Sequence, residues 1–358
     1  MHPSIAALAL FVLLAPLFLL LVGMCALIYF VDARKPRNNP QAFLQRGKRT
    51  VSSVVVCTGD SLTHASLSAD YVSRLRHRLS SRAYEIVNAG LNGNESADLF
   101  RRIPDIVRCK PDAISVLIGS NDVRTRFPQE AELAFQTNLN AIIGELRKKT
   151  EARIALLSIP PLGEDIAGEA NRDVDRCNTV IRRVAAENAA DYLPLHESLK
   201  LLIQKSGIRP PLPFRLRLRL LLGAAIQHYV LRRSWDDISA RNGFVVHTDQ
   251  LHLNDRAAAV TADLIANWLN SPPVPPKASA RIAHRVRRGS DAGTDPGLES
   301  CARAVSNGLG TFGRVVSQTF GCVDTLDFLT IPAPTMRAMG EAKFETTCGR
   351  KNRPSATE

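Results

Sequence analysis

Organised cysteine chemistry is the first thing this chain lacks. Its seven cysteines, Cys25, Cys57, Cys109, Cys177, Cys301, Cys322 and Cys348, show no CxxC pair and no Cys/His cluster, so no metal site is expected. An odd number without close spacing does not read as a disulfide framework either. Aromatic residues make up only 6% of the chain, and no zinc-finger spacing, basic zipper or aromatic RNA-binding signature accompanies the net charge of +12. Nucleic acid is therefore a poor explanation for the basic excess, and no nucleic-acid partner is expected. Lysine and arginine are absent before Arg34, and no internal repeat is visible.

What fills that opening segment is apolar. Ile5 to Val31 runs without a charged side chain, long enough to cross a hydrocarbon core of about 30 Å with some tilt. A cleaved signal peptide fits less well. The run exceeds the usual apolar core of such a peptide, Met1–Ser4 carries no Lys or Arg, and no small-x-small cleavage site follows. Residues 1–31 thus read as a single-pass membrane anchor. Arg34, Lys35, Arg37, Arg46, Lys48 and Arg49 follow it and place the remainder on the cytoplasmic side by the positive-inside rule. Residues 32–52, with Pro36, Asn38, Asn39 and Pro40, read as a basic tether.

From 53 to 270 strand and helix patterns alternate. The expected strands are Ser53–Thr58, Glu85–Asn88, Ala113–Ile118, Arg153–Ser158 and Asp191–Leu195, with helices near Ala69–Leu79, Ser96–Ile103, Glu130–Lys148, Asn171–Asn188 and Asn254–Leu269. This rhythm predicts parallel strands joined by right-handed crossovers, an α/β fold with helices on both faces of one sheet in a three-layer α/β/α sandwich. Residues 206–243 interrupt it with a Pro-rich loop and a Leu/Arg-rich helix beginning at Phe214. Two readings of that insertion stay open: a basic-apolar lid or membrane contact, and an ordinary helix packed on the sandwich. Beyond Leu269, residues 271–358 read as a Pro-rich linker and a mostly disordered basic tail, including Arg281, Arg285, Arg287 and Arg288.

The chemistry centres on Ser61. The run Val54-Val55-Val56-Cys57-Thr58 predicts a buried strand that stops at Gly59-Asp60-Ser61, and open α/β sheets bind ligands beyond such carboxyl ends. A serine nucleophile needs a base and a group to hold that base. Asp249-Gln250-Leu251-His252 supplies both from one loop, with His252 as general base and Asp249 as its orienting carboxylate. Oxyanion donors are expected after the second and third strands. In Asn88-Ala89-Gly90-Leu91-Asn92-Gly93, the Gly93 N–H is the candidate and Gly90 its rival; in Gly119-Ser120-Asn121-Asp122, the Asn121 amide is the candidate. Asp60 is expected to order its turn and Asp122 to hold the Asn121 loop. His64 has nothing to position it, and His196 and His247 read as structural or exposed.

Taken in order, these four blocks resemble the GDSL/SGNH hydrolase family over roughly residues 53–270. The resemblance implies a flavodoxin-like parallel sheet and hydrolysis of an ester or thioester through an acyl-enzyme, with neither metal nor cofactor. It assigns Ser61, Asp249 and His252 to a catalytic triad, and Ser61 N–H, Gly93 N–H and Asn121 to the oxyanion hole. Acyl-lipid and O-acetylated carbohydrate esters are both compatible substrates, and acyl transfer is a compatible reaction. A catalytically silent membrane scaffold is the alternative from another class.

Overall fold

The computed structural model describes residues 5–47, 53–82, 84–124, 127–208 and 213–272. The linker and basic tail lie outside these residues from 273 onward, as do Lys48 and Arg49 of the tether. Five strands form one parallel sheet: β1 (Ser53–Gly59), β2 (Tyr84–Gly90), β3 (Ala113–Leu117), β4 (Arg153–Leu157) and β5 (Asp191–Leu193). Their spatial order is β2-β1-β3-β4-β5, the flavodoxin-like arrangement. Val56 sits opposite both Val87 and Ile114, so β1 is bonded on both edges. The order in which strands are added reverses between β1 and β3, a topological switch point that opens a crevice beyond the carboxyl end of β1.

The helices follow in chain order. They are α1 (Ile5–Ala33), α2 (Pro40–Arg46), α3 (Ser61–His64), α4 (Tyr71–Arg78), α5 (Ser96–Arg101), α6 (Ile103–Arg108) and α7 (Ser120–Val123). Then come α8 (Gln129–Lys149), α9 (Glu169–Glu187), α10 (Leu195–Ser206), α11 (Leu218–Ala225), α12 (Trp235–Arg241) and α13 (Asp255–Asn270).

Strand periodicity decides the two interior layers. Val54 and Val56 face one side, where Leu99, Ile106, Phe135, Leu139 and Ile181 from α5, α6, α8 and α9 cover them. Val55 and Cys57 face the other, against Val72, Leu75, Leu199 and Ile265 from α4, α10 and α13. Burial on both faces explains the unbroken β-branched run, because neither face has to be polar. Burial also raises the Cys57 thiol to about 11, as befits an inert core residue.

Residues 35–46 are not an open tether. Asn39 caps α2 by accepting the Ala42 N–H, Pro40 opens the helix, and Phe43 is buried in the core. Asn38 donates to Glu85 Oε1 (2.8 Å) and to the Ile86 carbonyl (2.7 Å), and its own carbonyl accepts the Asn88 N–H. An exposed edge strand invites such cover, and here the chain entering the domain provides it for β2. Spacing alone hid this, since α2 has two turns and a single core side chain.

The insertion also departs from the expected helix. Residues 213–217 are non-helical, with Phe214 packed against the core, and α11 begins only at Leu218 before a π-helical turn at Ile226–Val230. Leu221 and Ala225 pack with Val31, Leu27 and Ile28 at the end of α1, and Phe30 meets the Tyr229 ring edge-on at 5.8 Å. Ile226, Val230 and Leu231 remain exposed. The insertion therefore packs on the domain along one side and presents apolar side chains on another. Within α1, Leu14–Val31 has a mean hydropathy of 2.6 and is long and apolar enough to cross a membrane.

Candidate active site

Asp60 starts the site by capping α3: its Oδ1 accepts the Leu62 N–H at 2.9 Å, which sets Ser61 as the first residue of that short helix. A residue in this position keeps its own N–H outside the helical ladder. On the opposite side of the crevice, His247 and Leu253 form an antiparallel bridge, and Thr248 N–H bonds the His252 carbonyl at 2.8 Å. The chain between them forms a tight loop with Gln250 at φ +81°, an unusual backbone conformation for a residue with a side chain. That loop turns Asp249 and His252 toward each other.

The resulting chain of contacts is continuous. His252 Nε2 lies 3.1 Å from Ser61 Oγ, and His252 Nδ1 lies 2.7 Å from Asp249 Oδ2. Asp249 Oδ1 accepts the N–H groups of Leu251 (3.0 Å) and His252 (2.8 Å). Burial by itself would raise the Asp249 pKa, but the His252 charge and these hydrogen bonds outweigh it and hold the carboxyl below its ordinary value. An ionised carboxylate only accepts, so Nδ1 carries the proton and Nε2 is left to accept from the serine hydroxyl. All three side chains are buried, and Ser61 is the most open at 7% exposure.

The two other loops meet each other. Asn121 Nδ2 donates to the Asn94 carbonyl at 2.9 Å, while Asp122 accepts from the Ser96 N–H and hydroxyl, joining the loops after β2 and β3. Gly93 has φ +69°. Gly90 is differently employed: its N–H donates to Asn88 Oδ1 at 2.9 Å, and a Cβ there would lie 2.1 Å from the His64 backbone nitrogen. Gly90→Ala is expected to cost about 3 kcal/mol or more, because backbone cannot yield as a side chain does. Thermal unfolding would show this as a large fall in Tm; an unchanged Tm would contradict the packing.

Two supporting residues carry no sequence signal of their role. Arg102, with no motif around it, donates to the carbonyls of Gly59 (2.7 Å) and Ala89 (2.7 Å) and to Asn94 Oδ1 (2.6 Å), joining the ends of β1 and β2 to the Gly93 loop. Glu164, in the loop after β4, accepts the N–H groups of Val245, Val246 and His247 and faces His247 Nδ1 at 3.2 Å. A buried carboxylate with that many donors braces the segment leading into Asp249. His247 is thus structural, and His196 is buried beside Asp175 at 3.2 Å. His64 makes no hydrogen bond to the triad through its side chain among the described residues, and it lines two cavities.

Asp60 Oδ2 is buried with no hydrogen-bond partner among the described residues, and burial pushes the carboxyl up to about 7. In an unfolded chain it would titrate near 3.9. The contribution of this group to stability is present below about pH 4 and is lost as pH rises through about 7. At 1.36 kcal/mol per unit the difference reaches about 4 kcal/mol. Asp60→Asn keeps the cap acceptor and removes the charge, so chemical denaturation should find it more stable than wild type at pH 8, with the gap closing toward pH 4. A gap that stayed constant with pH would refute this.

Solved structures similar to this chain include an acetyl xylan esterase, AlAXEase, at 22% identity, covering 61% of this chain and 100% of that one with a TM-score of 0.47. They also include the acetylxylan esterase Axe2 from Geobacillus stearothermophilus, at 17% identity, 63% and 98% coverage and a TM-score of 0.45. A third is a lipase/acylhydrolase from Enterococcus faecalis, at 15% identity, 63% and 100% coverage and a TM-score of 0.44. No curated protein matches the chain. The model of the GDSL-like Lipase/Acylhydrolase family matches residues 57–212, a span that holds the Ser61, Gly93 and Asn121 blocks. Residues 57–212 thus match the GDSL-like lipase/acylhydrolase family, a match that supports an ester-bond hydrolase.

Proposed function

We propose that this chain is a membrane-anchored serine esterase working through an acyl-enzyme, with Ser61 as nucleophile, His252 as general acid–base and Asp249 as its orienting carboxylate. The observation that carries the reading is the unbroken line from Ser61 Oγ through His252 to Asp249, with spacings of 3.1 and 2.7 Å. Ser61 Oγ attacks the ester carbonyl carbon while His252 Nε2 takes its proton. The carbonyl electron pair moves onto oxygen, facing the Ser61 N–H, the Gly93 N–H and the Asn121 amide. Gly93 is preferred to Gly90 because the Gly90 N–H already bonds Asn88. The tetrahedral adduct collapses as imidazolium gives its proton to the departing alkoxide. Water, deprotonated by His252, then releases the acyl group from Ser61.

The apolar helix α1 supports anchoring, and the basic residues after it support a cytoplasmic catalytic domain. Ile226, Val230 and Leu231, exposed beside the end of α1, favour an acyl-lipid ester as substrate. A fluorophosphonate probe followed by peptide mass spectrometry tests the mechanism: the adduct is expected on Ser61, and labelling at another serine or none would overturn it. Hydrolysis of long-chain acyl esters in mixed micelles, compared with acetylated sugars, tests the substrate class.

A further inference from the structure

A crevice of about 870 Å³ opens between the start of the domain and the back of the catalytic loops. It begins at Ala33, the last residue of α1, and ends at His64, Gly90 and Leu91. Its volume lies within the range of small-molecule sites. Leu44, Leu91 and Ile106 furnish apolar wall, while Lys35, Arg102 and Arg108 face a single carboxylate, Asp105. Arg102 is spent on carbonyls, whereas Lys35, donating to Gln41 Oε1 at 2.9 Å, and Arg108, 3.8 Å from Asp105, hold only solvent-exposed partners at the rim, which a bound anion can displace. A smaller cavity of about 130 Å³ shares Lys35 and His64 and adds Arg34 and Arg37 against Asp70.

His64 gives this crevice a polar floor. It is only 6% exposed, and its Nδ1 has no hydrogen-bond partner among the described residues. A buried polar atom without a partner carries a desolvation cost that a bound ligand removes. Burial, followed by Arg102 and Arg34, lowers the His64 pKa to about 4, so a neutral imidazole is available to donate one hydrogen bond to a ligand oxygen.

We propose that this crevice binds an anionic, phosphate-bearing amphiphile, with Lys35 and Arg108 on the phosphate, His64 bonding a ligand oxygen from below and the acyl chain along Leu44, Leu91 and Ile106. Cations at the mouth, an apolar wall and an unsatisfied polar atom at the base match the three parts of such a molecule. The occupant would rest against the nucleophile's support, because His64 ends the helix that Ser61 begins and the Leu91 N–H bonds the Gly59 carbonyl at 3.1 Å. The site is separate from the triad and does not depend on its assignment.

Calorimetric titration of the full-length protein in nonionic detergent tests this with three probes: dihexanoyl phosphatidic acid, dihexanoyl phosphatidylcholine and inorganic phosphate. The phosphatidic acid is expected to bind at least tenfold more tightly than either of the others and to shift the His64 imidazole proton resonances. The double variant K35Q/R108Q should lose at least tenfold in that affinity while its Tm and its hydrolysis of p-nitrophenyl acetate stay at wild-type levels. Arg101→Gln, a control at an exposed arginine that pairs with Asp98 outside the crevice, should bind as wild type does. Unchanged binding by the double variant, or equal binding of the phosphatidylcholine, would overturn the cationic mouth. Equal binding of inorganic phosphate would overturn the amphiphile and leave a free-anion site.

Discussion

Ser61→Ala should lower kcat by on the order of 10⁶-fold with the fold intact, the scale seen when a triad serine is removed from a serine hydrolase. The methyl group fills part of the serine's volume, and the α3 cap from Asp60 to Leu62 N–H does not involve the hydroxyl. The loss therefore reads the missing nucleophile, since His252 at 3.1 Å has nothing left to deprotonate except water. A residual rate well above the uncatalysed reaction is expected, because the oxyanion donors survive. Rates with p-nitrophenyl acetate, alongside a thermal melt showing an unchanged Tm, make the measurement; retention of even a tenth of wild-type kcat would exclude Ser61 as nucleophile.

Asp249→Asn should cost roughly 10⁴-fold in kcat. The asparagine oxygen can still take the Leu251 and His252 N–H groups, so the loop keeps its shape. Its amide then presents a donor to Nδ1, which favours the tautomer with the proton on Nε2 and takes the base away from Ser61. The variant also carries a stability signature. Because the folded Asp249 carboxyl lies below its ordinary value, it stabilises the fold above about pH 4, and that share is lost as pH falls through the folded pKa. Wild type should therefore show a steeper fall in Tm than Asp249→Asn below about pH 4. Equal slopes together with near-normal kcat would show that Asp249 does not hold the imidazole.

Opposite linkage at two carboxyls 189 residues apart in sequence shows how little residue type alone says. Asp60 and Asp249 are both completely buried. Asp249 meets an imidazole and two backbone donors, whereas Asp60 has one oxygen without a partner among the described residues. Burial thus acts against the charged form in both, and only Asp249 has enough opposing interactions to reverse the outcome. Sequence reading placed Asp60 in a turn and Asp249 beside the histidine. The sign of each shift needed the three-dimensional neighbours.

The alternating pattern was legible because each strand is a short apolar run and each long helix repeats at helical spacing. Strands expected at Ser53–Thr58 and Ala113–Ile118 end within a residue of where the structure ends them. Helices without a strong stripe were not legible: α2 buries only Phe43, and α12 and α10 lie where the pattern reads as loop or insertion. Their formation depends on surfaces that other parts of the chain supply.

By itself, the sequence determined the α/β class, the parallel order of elements and the four loops that hold the candidate site residues, because periodicity and turn chemistry are local properties. Tertiary structure alone decided which groups meet. It brought His252 within 3.1 Å of a serine 191 residues earlier, committed the Gly90 N–H to Asn88, and set Arg102 and Glu164 behind the loops. It also turned part of the expected tether into the wall of a basic crevice. Such pairings are set by the packing of two layers on one sheet, and no spacing along the chain encodes a distance across it.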